Sequence, residues 1–393
     1  MGIDALTTAL DARRHEVPGT PFGIYLHVPY CVRRCGYCAF NTYVVADPAD
    51  AGAAHRRFVD GAVAELTTAA RLLGGAAPPL VSVYVGGGTP SVLDAALVAD
   101  LLDAVRDRFV VADDLEVTIE ANPDGTSGAA LATWRDAGAT RVSFGVQSAV
   151  PGVLELLDRT HVPRTAVEAV GAARAAGFEH IGVDLIYGTP GESDEDWERS
   201  IDLALSLGTD HVSAYALGIE PGTRLAARVR SGTLPTPSGD VAADRYRRAD
   251  QRFGTAGFDW YEVANWARSE SARCRHNLLY WRNHHWWGVG PGAHSHVAGV
   301  RWANEPDPQR WADAVTAGAP AVAELEVLDG PARSLEHVLL GIRTAEGLAV
   351  EGLPPDRVRS VLDDELAEVT DGRLVLTLTG RLLADTVVRA LVV

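Results

Sequence analysis

The sequence predicts an α/β fold with parallel strands, followed by a smaller α+β module towards the C-terminal end. Six short apolar runs rich in β-branched residues alternate with segments of helical spacing over the first half of the chain. Strands that alternate with helices pair in parallel, because each crossover helix returns the chain to the same end of the sheet. The residue pattern alone fits an incomplete βα barrel as well as a doubly wound sheet.

The predicted strands share an apolar, β-branched composition and lie at 23–28, 80–85, 115–120, 141–146, 180–187 and 211–217. Gly177 is a natural stop for one intervening helix, and Ser193 begins another. A Gly- and Pro-containing loop over 231–240 ends the alternation. We therefore expect a first domain over residues 1–230, a Trp- and His-rich extension over 231–302, and a small winged-helix-like domain over 303–393.

The composition limits the classes of function. The 393-residue chain has 35 Arg, no Lys and a formal net charge of −17, so it lacks the basic surface of a general nucleic-acid-binding protein. No apolar run approaches the ~18 residues needed to span a bilayer, and the N-terminus lacks the pattern of a secretory signal. Four cysteines, three of them clustered, make a poor disulfide framework. We expect a cytoplasmic protein whose contact with a membrane is at most peripheral.

Three of the four cysteines, Cys31, Cys35 and Cys38, follow the first predicted strand with the spacing C-x3-C-x2-C. Thiolates are soft ligands that suit zinc or iron–sulfur clusters. A structural zinc site needs four ligands, whereas three thiolates from one loop fit a cubane cluster that has one iron open to another ligand. The alternatives are buried free thiols, or a zinc site completed by a distant histidine.

Unusual residues recur where the other predicted strands end. The glycine-rich segment GGGTPS (86–91) follows the second strand, Glu120 ends the third, Gln147 follows the fourth, Asp184 lies in the fifth, and Tyr215 lies in the sixth. The carboxyl ends of parallel strands meet at one edge, where ligands bind. Each residue alone would more often be a cap or a surface group, but the set predicts a pocket.

The stretch YLHVPYCVRRCGYCAF resembles the signature of the radical S-adenosylmethionine (SAM) superfamily. This resemblance implies a partial (β/α)6 TIM-type barrel, in which the three cysteines hold a [4Fe–4S] cluster and SAM chelates the open iron. IEANPDG, FGVQS, LDRTH and VDLIYGTPGE extend the resemblance to the coproporphyrinogen dehydrogenase-like branch. Asp158 departs from this pattern, because the branch usually has Gly before the arginine of LDRTH. The SAM-binding residues implied by these motifs are Tyr25, Tyr37, Gly87, Gly88, Thr89, Glu120, Gln147, Arg159, Asp184, Ala216 and His294.

A second motif, HNLLYW at 276–281, resembles one found in the heme chaperones of this branch. The resemblance implies heme as a further ligand, with His276 as an axial ligand and Asn277, Tyr280 and Trp281 beside the porphyrin. The alternative is that this Trp- and His-rich segment only packs against the barrel. Cys274 is a candidate soft ligand, although a partly buried free thiol is the favoured interpretation.

Two functions of different class fit this branch. One is an enzyme, the oxygen-independent coproporphyrinogen III dehydrogenase. The other is a heme chaperone that passes heme to acceptor proteins, with respiratory hemoproteins among the candidates. This chain has Phe40 at the position where the dehydrogenases typically carry a further cysteine, and only 30 residues precede Cys31. Together with HNLLYW, these features favour the chaperone. An RNA-modifying enzyme is a weaker third alternative, because the chain is acidic.

Overall fold

A twelve-stranded mixed sheet forms the centre of the fold in the computed structural model, which describes residues 3–45 and 47–392. Its strands are β1 (Phe22–Val28), β2 (Leu80–Gly87), β3 (Val111–Ala121), β4 (Arg141–Gln147), β5 (His180–Tyr187), β6 (His211–Ala216), β7 (Asp259–Glu262), β8 (Asn265–Ala267), β9 (His285–Val289), β10 (His294–Val297), β11 (Val300–Asn304) and β12 (Val322–Val327). A second, antiparallel sheet contains β13 (Leu348–Ala349), β14 (Ala367–Thr370) and β15 (Arg373–Leu376).

The helices lie between and around these strands. They are α1 (Ile3–Arg13), α2 (Pro48–Leu73), α3 (Ala95–Arg106), α4 (Gly128–Asp136), α5 (Pro151–Leu156), α6 (Pro163–Ala175), α7 (Asp194–Ser206), α8 (Arg224–Arg230), α9 (Gly239–Thr255), α10 (Arg275–Trp281), α11 (Pro308–Thr316), α12 (Gly330–Gly341), α13 (Pro355–Asp363), α14 (Leu378–Leu382) and α15 (Ala384–Val392). In the described part of the chain, no helix is both long enough and apolar enough to cross a bilayer.

The six predicted parallel strands are confirmed. β1 to β6 pair in chain order, each parallel to the next, and helices cross between them. The barrel they form is partial, because β1 pairs on its other side with β9 and β6 pairs with β8. The predicted helix start at Ser193 is also confirmed: its hydroxyl accepts from the Asp196 amide, and the Asp196 carboxylate accepts from the Ser193 amide.

The Trp- and His-rich segment extends the sheet beyond β1. β9 pairs in parallel with β1, and β10 to β12 continue outwards in antiparallel pairs. The sheet therefore runs through residue 302, because β11 (Val300–Asn304) spans this position. The domain limits 1–230, 231–302 and 303–393 remain predictions. An antiparallel hairpin of β14 and β15 lies where the sequence predicts a wing, over a separate apolar core with α12, α13 and α15.

Glu65 joins α2 to the extension. Its side chain is buried and accepts hydrogen bonds from the Gly290 amide at 2.9 Å, Trp311 Nε1 at 2.9 Å and Asn304 Nδ2 at 2.7 Å. Burial raises the pKa of this carboxyl group to about 7. These hydrogen bonds fix α2 to the segment that follows β9, to β11 and to α11.

Replacing Glu65 with alanine should destabilise the fold strongly. The substitution Glu65→Ala leaves three buried donors without their acceptor, and each such group costs about 1–3 kcal/mol. We expect the free energy of unfolding, measured by urea titration, to fall by about 3 kcal/mol or more. Asp60→Ala, at an exposed position of the same helix, should leave it nearly unchanged. Equal stability of the two variants would contradict the role given to Glu65.

The pH dependence provides a second readout for the same pair of variants. Burial raises the pKa of Glu65 from 4.5 to about 7, so between these values the folded state keeps a proton that the unfolded state has released. Because the folded state binds more protons there, the contribution of Glu65 to stability falls as the pH rises through this window. This part of the pH dependence should be absent from Glu65→Ala and present in Asp60→Ala.

Candidate functional site

A cavity of about 770 Å³ opens at the carboxyl ends of β1 to β6 and runs into the barrel as far as the residues that precede and begin α10. The predicted rim residues that line it are Cys31, Cys35, Tyr37, Cys38, Gly87, Gly88, Thr89, Glu120, Gln147, Arg159, Asp184, Tyr215 and Ala216. Its inner end is lined by Thr118, Arg141, Ser143, His211, Ser213, Cys274 and Asn277. The structure therefore brings most of the predicted site residues around one space.

The three clustered cysteines lie partly buried on the loop after β1. Thr89 Oγ1 donates to Cys31 Sγ at 3.5 Å, and Arg159 Nη1 donates to Cys35 Sγ at 3.6 Å. In the described residues, no three His, Cys, Asp or Glu side chains converge as a site for a single metal ion. A cubane cluster binds each cysteine through a separate iron and needs no such convergence. Three thiols from one loop, facing a cavity and contacted by donors, fit such a cluster.

The glycine-rich loop packs against the cysteine loop. The Gly88 amide donates to Val28 O and the Thr89 amide to Tyr30 O, both at 2.8 Å. A Cβ atom at Gly88 would lie 2.6 Å from Tyr30 O, and one at Gly87, where φ is +107°, would lie 2.6 Å from a ring nitrogen of His27. Glycine is required here because two backbone segments approach closely, and this holds before any ligand is considered.

Two acidic side chains of the barrel wall have raised pKa values. Glu120 accepts from Tyr84 Oη at 2.6 Å and from the Gly87 amide at 3.2 Å, and burial raises its pKa to about 7. Asp184 accepts from Ser143 Oγ at 3.2 Å, and burial raises its pKa to about 6. Hydrogen-bonded carboxyl groups poised near neutral pH can accept from ligand hydroxyl or amino groups at the cavity wall.

Gln147 has a backbone conformation that favours glycine. Its φ is +62°, and its buried Oε1 atom has no hydrogen-bond partner among the described residues. Strained backbone and an unpaired buried acceptor are typical of residues positioned for a ligand. Both observations fit the predicted place of Gln147 in the lining of the site.

Arg159 and its neighbour Asp158 point to different partners. Arg159 Nη2 donates to Asn122 Oδ1 and to Gly145 O, each at 2.7 Å. Asp158 pairs instead with Arg33 at 2.6 Å and with Arg224 at 2.9 Å. The additional negative charge of Asp158 therefore forms no ion pair with Arg159. Asp158 has φ +59°, which explains in physical terms why glycine is usual at this place.

The HNLLYW motif lies at the opposite end of the barrel, in α10. His276 is 1% exposed, and its Nδ1 and Nε2 atoms are hydrogen-bonded to Ser82 Oγ at 2.8 Å and to Tyr280 Oη at 2.9 Å. Burial lowers the pKa of this imidazole to about 3, so it is neutral. Because both ring nitrogens are occupied, His276 has none left for a heme iron. In this arrangement the segment packs against the barrel, and the axial role of His276 stays a prediction.

The remaining residues predicted for heme also have partners within the protein. Asn277 Nδ2 donates to Glu262 Oε1 at 3.3 Å, Trp281 donates to the same carboxyl group, and Tyr280 packs edge-on against Trp286 with ring centroids 4.6 Å apart. Asn277 alone of the four motif residues lines the cavity. Through these contacts the motif closes the inner end of the barrel, which is called the floor of the barrel below.

Cys274 is a buried free thiol, as the favoured interpretation predicts. It is 3% exposed, its Sγ atom lies 3.6 Å from Glu116 Oε1, and burial raises its pKa well above the usual value. A thiol held protonated at the inner end of the cavity is not a ready thiolate ligand.

Two predicted SAM-binding residues lie away from the cavity wall. The Tyr25 hydroxyl is hydrogen-bonded to His27 Nδ1 at 3.0 Å, and its ring stacks near Tyr84 and His276. His294 is exposed at the start of β10. Neither residue is among those that line the cavity in the described part of the chain.

The sequence interpretation missed polar residues within the strands. Tyr84, Asn122 and Ser143 all line the cavity and bond to predicted site residues. The missed signal is an alternation of polar residues, such as Ser82 with Tyr84, which places every second side chain on the inner face of the barrel.

Comparison with known proteins agrees with this geometry. Residues 25–204 match the Radical SAM superfamily, the class that a partial barrel with three clustered cysteines indicates. The heme chaperone HemW of Mycobacterium tuberculosis is 51% identical over 95% of this chain and 96% of its own length. HemW of Bacillus subtilis is 30% identical over 92% of this chain and 97% of its own length. The chain belongs to the radical SAM superfamily and, within it, to the HemW family.

A solved structure shares the fold of the whole chain. Coproporphyrinogen III oxidase (HemN) from Escherichia coli, a radical SAM enzyme, superposes with a TM-score of 0.83 over 99% of this chain and 93% of that one, at 23% identity. At this level of identity the similarity establishes the fold alone. The α/β class and the partial barrel predicted from the sequence are confirmed.

The two substitutions Asp158→Gly and Asp158→Ala should separate backbone strain from ion pairing. Both remove the pairs with Arg33 and Arg224, but only alanine keeps a Cβ atom at φ +59°. We expect Asp158→Ala to be about 1 kcal/mol less stable than Asp158→Gly in urea unfolding. Equal stabilities would show that the left-handed backbone at this position has no cost.

Replacing His276 should lower the stability of the fold rather than change the heme absorbance spectrum. His276→Ala leaves a cavity and removes the hydrogen-bond partner of the buried Ser82 hydroxyl and of the half-buried Tyr280 hydroxyl, so we expect the free energy of unfolding to fall by about 2–4 kcal/mol. His337→Ala, at an exposed position, is the control. The folded fraction should keep the same heme absorbance spectrum. A variant as stable as its parent that loses a histidine-ligated spectrum would restore the axial assignment.

Proposed function

We propose that this protein is a heme chaperone, which binds heme and transfers it to acceptor proteins. The observation that supports this most directly is the 51% identity with a named heme chaperone over 95% of the chain, which includes the extension and the C-terminal module as well as the barrel. The proposed acceptors are hemoproteins, with respiratory ones among them, and the proposed location is the cytoplasm.

We propose further that the rim of the cavity holds a [4Fe–4S] cluster and SAM. Cys31, Cys35 and Cys38 would bind the cluster, which when present supplies an open iron for chelation of SAM and an electron for its reduction. Thr89 and Arg159 donate towards two of the sulfur atoms and would stabilise negative charge there. The cavity volume of about 770 Å³ leaves room for SAM within the barrel.

The wall residues would orient SAM within this cavity. Glu120, already an acceptor for Tyr84, would accept from a ribose hydroxyl, and the unpaired Oε1 of Gln147 would accept from a second donor of the ligand. Asp184 has Ser143 as a partner and faces the same space. Tyr25 and His294 have no direct part in this proposal, because neither lines the cavity.

The alternative function is that of an oxygen-independent coproporphyrinogen III dehydrogenase. This chain shares its fold with a coproporphyrinogen III oxidase, but a shared fold does not determine the reaction. Phe40 counts against this alternative function, because the dehydrogenases typically have a further cysteine at this position.

The experiment that separates the two functions starts from protein whose cluster has been reconstituted without oxygen. We expect hemin to bind with one-to-one stoichiometry and to move to the apo form of a b-type cytochrome, followed by its Soret absorbance. Coproporphyrinogen III with SAM and dithionite should yield no protoporphyrinogen. Turnover of coproporphyrinogen would overturn the chaperone proposal, and so would failure of the parent protein to bind hemin.

A matched variant assigns the cluster. Replacing Cys31, Cys35 and Cys38 together by alanine should abolish the iron–sulfur absorbance and lower SAM affinity at least tenfold, because the chelating iron is lost. Cys274→Ala, at the fourth cysteine, should retain both signals. An iron content that is the same in the triple variant and in Cys274→Ala would refute the assignment.

A further inference from the structure

The loop that holds the three cysteines exposes two large apolar side chains at the mouth of the cavity. Val32, next to Cys31, is 82% exposed, and Phe40, two residues after Cys38, is 65% exposed. Both line the mouth of the same cavity. Apolar groups displayed beside a concave opening are available to contact a ligand that binds there.

Arginines accompany these apolar residues. Arg33 and Arg224 share one carboxylate, that of Asp158. Arg34 is exposed, and its nearest acceptor in the described part of the chain is Phe40 O at 3.5 Å, with no carboxylate within ion-pair distance. The mouth therefore combines apolar contact area with capacity to bind anionic groups.

We propose that heme docks at this mouth, with its porphyrin face against Phe40 and Val32 and its propionate groups towards Arg34 and the Arg33–Arg224 pair. This proposal rests on the proposed function and gives it a location. A porphyrin is a flat apolar ring that aromatic side chains cover well, and its propionates are carboxylates that arginine binds in bidentate geometry. Heme is the ligand of the proposed function that offers both chemistries.

The barrel floor is the competing location, and the geometry disfavours it. His276 and its neighbours in α10 are bonded to one another and to β2, whereas Phe40 and Arg34 have few contacts to lose. Docking at the mouth desolvates an exposed ring and pairs a free cation, so it needs no rearrangement of buried groups.

The test uses cluster-reconstituted protein and two probes, hemin and hemin dimethyl ester, in which both propionates are blocked. Phe40→Ser should weaken binding of both probes at least tenfold. Arg34→Gln should weaken hemin binding about fivefold and leave binding of the ester unchanged, because only hemin has carboxylates. The matched controls are Val44→Ser, an exposed apolar residue of the same loop that does not line the cavity, and Arg71→Gln, an exposed arginine on α2.

The outcomes separate this proposal from the proposed function. If the parent protein binds no hemin, the chaperone function itself fails. If the parent binds hemin and the Phe40 and Arg34 variants match the two controls, only the mouth is refuted as the heme site. Unchanged hemin affinity combined with slower reduction of the cluster by an acidic flavodoxin would also refute it, and would assign the surface to an electron-donor protein. Intact iron–sulfur absorbance in every variant confirms that each is folded.

Discussion

The polar inner face of the partial barrel is the constraint on which the rest of this structure depends. Ser82 and Tyr84 alternate along β2, and Glu116, Thr118 and Glu120 alternate along β3, so that every second side chain of these strands is polar. The outward residues between them belong to the apolar core beneath the helices. Polar groups taken out of bulk water are stabilised by hydrogen-bond partners, and Ser82, Tyr84, Glu116 and Glu120 each have such a partner.

The helix α10 provides these partners at the floor. Glu116 Oε1 accepts from the backbone amides of Arg275 at 2.9 Å and His276 at 3.3 Å, which are donors that the first turn of a helix leaves free. Arg141 donates to the same carboxylate and to Ala272 O. The helix is therefore fixed by the inner faces of β3 and β4, and the imidazole of His276 completes the same network at Ser82.

The rim and the floor are joined through one side chain, Tyr84. Its hydroxyl donates to Glu120, the proposed acceptor for SAM, while its ring stacks on His276 with centroids 5.2 Å apart. The rim residues around Glu120 and the HNLLYW motif, which the sequence presents as separate sites, are thus connected through Tyr84. Tyr84 thus contacts both His276 and Glu120, so a substitution at His276 would change the packing of the ring whose hydroxyl donates to Glu120.

Local patterns in the sequence predicted those features that depend on local interactions. The strand runs, the cap at Ser193 and the cysteine spacing are short-range, and the rule for strand ends then placed Glu120 and Asp184 at one rim. The partner of His276 could not be predicted, because Ser82 lies 194 positions away. The parallel pairing of β1 with β9 joins residues that are still further apart in sequence. The positive φ of Asp158 could not be predicted either, because the left-handed backbone is usual for glycine and not for aspartate. These three features are long-range contacts or a backbone angle, whereas the polar alternation of Ser82 and Tyr84 is a local signal that the sequence does contain.

The distribution of hydrogen-bonded and exposed groups indicates where substitutions in this chain cost stability and where they do not. At the floor the hydrogen-bonding atoms of His276 and the carboxylate of Glu116 are occupied, so a substitution there costs stability before it alters binding. At the rim, Phe40 and Arg34 are exposed and nearly without partners, so they can be exchanged at little cost to the fold. We therefore expect substitutions in the cysteine loop to alter ligand binding while the network at the floor of the barrel stays intact.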